Sequence, residues 1–159
     1  MARFFINRPI VAIVIAVAPL SFIVAQSCNT PFVEISEKLG AEPFEKVTKN
    51  FGFGQQLNIP LRVVPSVFPP NLDPAALGQS VIGQRDVKAT AMQMNMVAMG
   101  IANGGKIIQP NLIKRVIAPD LKVLSETKPK EFATATSKDV ADQVTDLMRG
   151  PVKSGTAVR

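Results

Sequence analysis

An apolar run extends from Pro9 to Ala25, and only Ser21 within it has a polar side chain. Its length falls at the short end of the roughly 17 to 25 residues that cross a bilayer as a helix. Such a run avoids water, so it is stable only in lipid or inside a protein core. The chain must therefore bury this run in one of those two places.

The residues around the run favour the membrane. Arg3 and Arg8 precede it, which predicts an N-terminus in the cytoplasm. Pro19 lacks a backbone donor and predicts a kinked or shortened helix. No clear A-x-A cleavage site follows, so we expect residues 1–26 to remain as an N-terminal membrane segment, with a second domain over residues 27–159. Packing of the run as a core helix is the alternative.

Composition excludes several kinds of chemistry. The chain contains no His, which excludes Ser-His-Asp triads and His-ligated zinc. A single cysteine, Cys28, excludes an internal disulfide and a CxxC metal site. The net charge of +6 comes from scattered basic residues with no Trp or Tyr among them, so nucleic acid is not an expected partner. No metal or cofactor site is predicted.

Two helices are predicted after Ser27. Thr30 is expected to cap the first, which places Pro31 at its first helical position and Gly40 at its end. The second helix is short and ends at Gly52, and its apolar face is formed by Phe44, Val47 and Phe51.

The rest of the chain predicts a loop, a helix, a hairpin and a final helix. The proline-rich tract from Asn58 to Gly78 is predicted as an ordered surface loop or edge segment, because prolines donate no ladder hydrogen bonds. Thr90 is expected to cap a helix with a core-facing stripe of Met92, Met96 and Met99. A hairpin should turn at Pro119-Asp120. The final helix should begin at Thr136 or Ser137 and end at Gly150-Pro151, with a buried stripe of Val140, Val144, Leu147 and Met148.

The opening stretch "MARFFINRPIVAIVIA" resembles the N-terminus of resistance-nodulation-division efflux pumps, up to about Pro19. That resemblance implies a cytoplasmic stub followed by a spanning helix. Nothing downstream continues it, and a single span without an intramembrane charge provides no transport path. A transporter is therefore the least favoured function.

A second resemblance covers Ser27 to about Ala157. The stretches "SCNTPFVEISEKLG", "GQSVIGQRDVKATAMQMNMVAMGIANGG" and "DQVTDLMRGPVKSGTA" resemble penicillin-binding transpeptidases. Ala91 stands where that family usually has proline, and Arg85 where it usually has glycine. The resemblance implies an α+β fold, namely an incomplete transpeptidase domain of the penicillin-binding and serine β-lactamase type. Such a domain has an antiparallel sheet with flanking helices, here preceded by one apolar N-terminal helix.

The same resemblance implies a mechanism without His. In that family a Ser-x-x-Lys supplies the nucleophile and its base, a Ser-x-Asn relays protons and holds the substrate peptide, and a Lys-Thr-Gly strand aligns the peptide. Ser27 and Asn29 match the Ser-x-Asn and are the predicted catalytic residues, with Cys28 pointing away from the cleft. Without the resemblance, the same triplet predicts only a helix cap.

Two further matches are expected to be coincidental. Ser125-Glu126-Thr127-Lys128 fits Ser-x-x-Lys, but Pro129 biases Lys128 away from the helix that the chemistry requires. Ser125 is therefore predicted on a hairpin strand. Lys153-Ser154-Gly155 follows a predicted helix end, so we interpret Lys153 as a surface residue. The nucleophile and the Lys-Thr-Gly strand are both expected to be missing from these residues.

Two functions remain. The first is a fragment of a peptidoglycan D,D-transpeptidase at the bacterial inner membrane, facing the periplasm or cell wall, inactive alone and completed by a separate chain. The intact family binds peptidoglycan stem peptides and β-lactams. The second is a membrane-anchored, non-enzymatic remnant or partner-binding module. The two differ at Ser27, which cannot reach a cleft if the apolar run directly before it lies in lipid.

Overall fold

The computed structural model of the protein describes residues 19–158. The helices are α1 (Leu20–Ala25), α2 (Asn29–Leu39), α3 (Ala41–Asn50), α4 (Pro74–Ser80), α5 (Ala91–Ala102) and α6 (Lys138–Ser154). The strands, between α5 and α6, are β1 (Lys106–Ile108), β2 (Arg115–Ile117), β3 (Val123–Glu126) and β4 (Glu131–Thr134). This mixture confirms the predicted α+β class. Residues 1–18, with the efflux-pump-like opening and most of the predicted membrane segment, lie outside the described part. None of the helices in residues 19–158 is long and apolar enough to cross a bilayer.

The core lies between α5 and a small antiparallel sheet. Thr90 caps α5 as predicted, since its hydroxyl accepts a hydrogen bond of 3.1 Å from the Gln93 N–H. Met96, with none of its surface exposed, packs with the buried residues Leu57, Ile107 and Ala135, and with Met92 and Met99 at the edge. The methionine stripe is therefore core, as predicted. β1 pairs antiparallel with β4, and β2 pairs antiparallel with β3 in the predicted hairpin around Pro119-Asp120.

Helix α6 packs against α1 and α5. Ser137 caps it by accepting a hydrogen bond of 3.3 Å from the Val140 N–H. The predicted end at Gly150-Pro151 is wrong, because α6 continues to Ser154. A proline removes a single backbone donor from this turn. α1 packs against the same turn, since a Cβ added at Gly150 would lie 3.3 Å from the Cβ of Ala25. This contact with α1 supports the half-buried start of the turn, and the helix continues past Pro151.

The predicted buried stripe of α6 is only partly correct. Ala141 is the fully buried residue of this helix, and Val144 and Leu147 are half-buried. Val140 is 47% exposed and Met148 is 49% exposed. The apolar stripe of α6 is wider than the surface that α1 and α5 cover, so its margins remain in contact with solvent.

Two predictions near the first helices also need correction. Thr30 does not cap α2, which begins at Asn29 with Cys28 at the N-cap position and no side-chain capping bond. The predicted ends at Gly40 and near Gly52 are confirmed for α2 and α3. α4 replaces the last part of the predicted loop, because the Asp73 carboxylate accepts a 2.7 Å hydrogen bond from the Ala76 N–H and Pro74 occupies the first helical turn.

Candidate active site

Ser27 lies in the turn that joins α1 to α2, with its side chain exposed. Its N–H donates to the Val24 carbonyl at 3.2 Å, and the Cys28 N–H donates to the Ile23 carbonyl at 3.0 Å. These bonds tie the turn back onto α1, whose Ile23 and Ala25 are buried. Ser27 has a φ of 53°, in the left-handed region that a residue with a Cβ occupies only when its surroundings hold it there. The turn is therefore a fixed support for the Ser27 hydroxyl.

The residues after α6 meet the same turn from the other side. The Thr156 N–H donates to the Ala25 carbonyl at 3.0 Å, and the Thr156 hydroxyl lies 2.9 Å from Ser27 Oγ, within hydrogen-bond distance. A Cβ at Gly155 would overlap the Ala25 carbonyl oxygen, so glycine permits this close approach. Sequence reasoning missed Thr156, because a contact across 129 positions leaves no local pattern. The one local signal for this contact is Gly155, directly before Thr156, because a residue without a Cβ permits the close approach to Ala25.

Asn29 is exposed at the first position of α2, on the same turn as Ser27. The structure thus brings the two predicted catalytic side chains to one solvent-facing corner, where α1, α2 and the end of α6 converge. Cys28, between them, is half-buried. Its predicted orientation away from the cleft stays a prediction.

The two motif matches that were expected to be coincidental lie in different elements, one on a strand and one on a helix. Ser125 is in β3, where it pairs with Val116 of β2, so its predicted place on a hairpin strand is confirmed. Lys153 is exposed, which confirms the surface interpretation, but it belongs to the last turn of α6 and does not follow the helix. Across residues 19–158, no three His, Cys, Asp or Glu side chains are grouped so that they could hold a metal ion.

A groove of about 590 Å³ runs along the surface where α5 and α6 meet. Its walls are mostly apolar, and its polar lining residues are Thr145, Arg149 and Lys153. The apolar lining residues are Ala98, Ile101, Ala102, Met148 and Val152. Val152 is 66% exposed, so this part of the helical layer is not covered by residues 19–158.

Comparison with known proteins gives a consistent result. The sequence model of the penicillin binding protein transpeptidase domain matches residues 16–159, so most of the efflux-pump-like opening precedes the match. Peptidoglycan D,D-transpeptidase PbpA of Mycolicibacterium smegmatis is 42% identical over 125 residues, which are 78% of this chain and 26% of that protein. PbpA of Mycobacterium tuberculosis is 37% identical over 129 residues, 80% of this chain and 26% of that protein.

Solved structures agree with the sequence relatives. Penicillin-binding protein A from M. tuberculosis, as an imipenem acyl-enzyme complex, superposes with a TM-score of 0.82 at 36% identity, covering 86% of this chain and 31% of that chain. The D,D-transpeptidase domain of a peptidoglycan glycosyltransferase from Eggerthella lenta gives 0.78 at 27% identity, covering 86% and 37%. The chain spans about a quarter of the length of the curated relatives it matches. With the family model and these relatives in agreement, the chain belongs to the penicillin-binding protein transpeptidase family, as part of its transpeptidase domain.

Proposed function

We propose that this chain is the part of a peptidoglycan D,D-transpeptidase that carries the Ser-x-Asn motif. Ser27 acts as the proton relay, and Asn29 holds the substrate peptide. The observation that carries the proposal is the position of Ser27. Its hydroxyl is exposed, its backbone N–H is bonded to α1, and its Oγ lies 2.9 Å from the Thr156 hydroxyl. A group that relays protons has to stay within hydrogen-bond reach of the reacting atoms, which such a support provides.

The nucleophile has to come from outside these 159 residues. Acyl transfer requires a serine activated by a base and an oxyanion hole around it, and without His the base in this chemistry is a desolvated lysine. Ser125 has Lys128 three positions later, but β3 is extended, so the two side chains do not share a helical face. The chain by itself is therefore inactive.

The groove between α5 and α6 supports a contact with the rest of the transpeptidase domain, in the same polypeptide or in a separate chain. Its apolar walls are open along residues such as Met148 and Val152, and burial of such side chains against another apolar layer is favourable. The substrates of the completed domain are peptidoglycan stem peptides, and β-lactams acylate it as imipenem acylates the M. tuberculosis protein.

A graft into a complete enzyme tests the proposal. The segment of M. smegmatis PbpA that aligns with this chain is replaced by this chain's residues, and the rate of acylation by penicillin is measured. We expect the graft to be acylated, and Ser27→Ala to lower the rate about 100-fold or more, because a positioned proton-transfer group contributes about that much. Asn29→Ala should also lower the rate, whereas Asn111→Ala, which changes an exposed asparagine elsewhere, should not. Equal rates in Ser27→Ala and Asn111→Ala would refute the role of Ser27.

We also propose that the chain is held at the bacterial inner membrane, with the domain on the periplasmic or cell-wall side. Because Ile23 and Ala25 are buried against α6, the attachment is assigned to the apolar residues before Pro19. The full chain should stay in the membrane pellet after a carbonate wash, and deletion of residues 2–18 should release it. Ile13→Asp combined with Ile15→Asp should also release it, whereas Leu61→Asp, on an exposed domain residue, should not. A full chain that washes off contradicts the attachment.

A further inference from the structure

Thr156 holds a specific place beside Ser27. Its N–H is bonded to the Ala25 carbonyl at 3.0 Å, and the preceding Gly155 packs directly against the Ala25 backbone. The backbone of Thr156 is thus tied to the same residue that precedes the Ser27 turn. Its hydroxyl, 2.9 Å from Ser27 Oγ, is placed by these backbone contacts, although both hydroxyl groups are exposed.

We propose that Thr156 is a positioning residue for Ser27, with the Thr156 hydroxyl as the donor and Ser27 Oγ as the acceptor. This proposal rests on the proposed role of Ser27. A hydroxyl has one proton to donate and two acceptor lone pairs. If Ser27 donated to Thr156, its only proton would be engaged outside the cleft. With Thr156 as donor, one lone pair of Ser27 is occupied and its proton stays free for transfer.

The donated bond also has an electrostatic effect. When Ser27 gives up its proton, negative charge develops on Oγ, and a donor already in place stabilises that charge without reorganisation. Thr156 therefore orients the Ser27 side chain and favours its deprotonated state. Neither effect requires Thr156 to contact the substrate.

A thiol at position 27 reports this effect in the chain itself. Ser27→Cys is made together with Cys28→Ser, which leaves a single cysteine, and the rate of alkylation by iodoacetamide is measured against pH. Because a hydrogen bond to the charged form lowers a pKa, Thr156→Val should raise the midpoint of the profile by about half a pH unit. Thr156→Ser, which keeps the hydroxyl, should leave the midpoint unchanged, as should the control Ser154→Ala on the neighbouring exposed serine. One midpoint for all variants, or equal shifts in Thr156→Val and Thr156→Ser, overturns the proposal.

A disulfide tests the same contact if the valine variant does not fold. With Cys28→Ser in place, Ser27→Cys combined with Thr156→Cys should oxidise to an intramolecular disulfide, since the two hydroxyl oxygens lie 2.9 Å apart. Ser27→Cys combined with Ser154→Cys is the matched control and should oxidise much more slowly. Equal yields for the two pairs overturn the contact.

These measurements use neither penicillin nor the graft, so they are separate from the test of Ser27 itself. If the thiol midpoint does not respond to Thr156 while acylation of the graft depends on Ser27, only the role of Thr156 is refuted. If the midpoint responds but acylation of the graft does not depend on Ser27, the proposed function is refuted and the positioning role with it.

Discussion

The isolated 159-residue chain should form no covalent band with a fluorescent penicillin on a denaturing gel. Penicillin acylates a serine that a base has activated next to an oxyanion hole, and loss of either partner abolishes most of the reaction. Ser27 is followed three residues later by Thr30, and Ser154 by Ala157, so neither has a lysine at that spacing. Ser125 has Lys128, but it lies in extended β3. We therefore expect the signal to equal that of heat-denatured protein.

M. smegmatis PbpA on the same gel serves as the labelled control. Two variants identify the residue if the chain is labelled after all. A band that disappears in Ser125→Ala would contradict the assignment of that motif to a strand. A band that disappears in Ser27→Ala would mean that Ser27 is itself the nucleophile.

Met96→Ala should unfold the chain under conditions in which the parent chain is folded. Met96 has no exposed surface and packs in the buried cluster with Ile107 and Leu57. Truncation of such a side chain costs about 2–5 kcal/mol, which is a large part of the roughly 5–15 kcal/mol that stabilises a domain. Urea denaturation followed by circular dichroism measures the loss as a lower midpoint or as an absent transition.

Met94→Ala is the matched control, because Met94 lies on the same helix, α5, and is 53% exposed. Its removal should change the free energy of unfolding by no more than about 0.5 kcal/mol. Similar losses in the two variants would mean that burial at Met96 does not stabilise this domain.

The elements that the sequence predicted correctly have local signals. Thr90 and Ser137 each accept a hydrogen bond from the N–H three residues later, so the capping residue and the helix start are encoded together. Asp73-Pro74 carries the same helix-start signal, but the prolines around it favour a loop in the sequence. Thr30 was misassigned because the α1–α2 turn, held by contacts to α1, starts α2 two residues earlier.

The remaining errors have tertiary causes. Pro151 stays helical in a turn whose Gly150 packs against Ala25 of α1, a contact between distant parts of the chain. The Ser27–Thr156 contact is of the same kind and could not be predicted from either segment alone. The backbone conformation at position 85 does not follow from the residue type, since Arg85 adopts a φ of 61° where the resembling family usually has glycine. Such a conformation costs a residue with a Cβ about 1–2 kcal/mol, which the surrounding fold has to offset.

The decisive measurement is the site of acylation in the grafted enzyme. The graft is treated with penicillin and digested, and the peptide that carries the penicilloyl group is identified by mass spectrometry. We expect one modified serine, in the part contributed by M. smegmatis PbpA, with Ser27 unmodified and required for the rate. A penicilloyl group on Ser27, Ser125 or Ser154 would contradict this expectation, because the nucleophile would then lie within these residues.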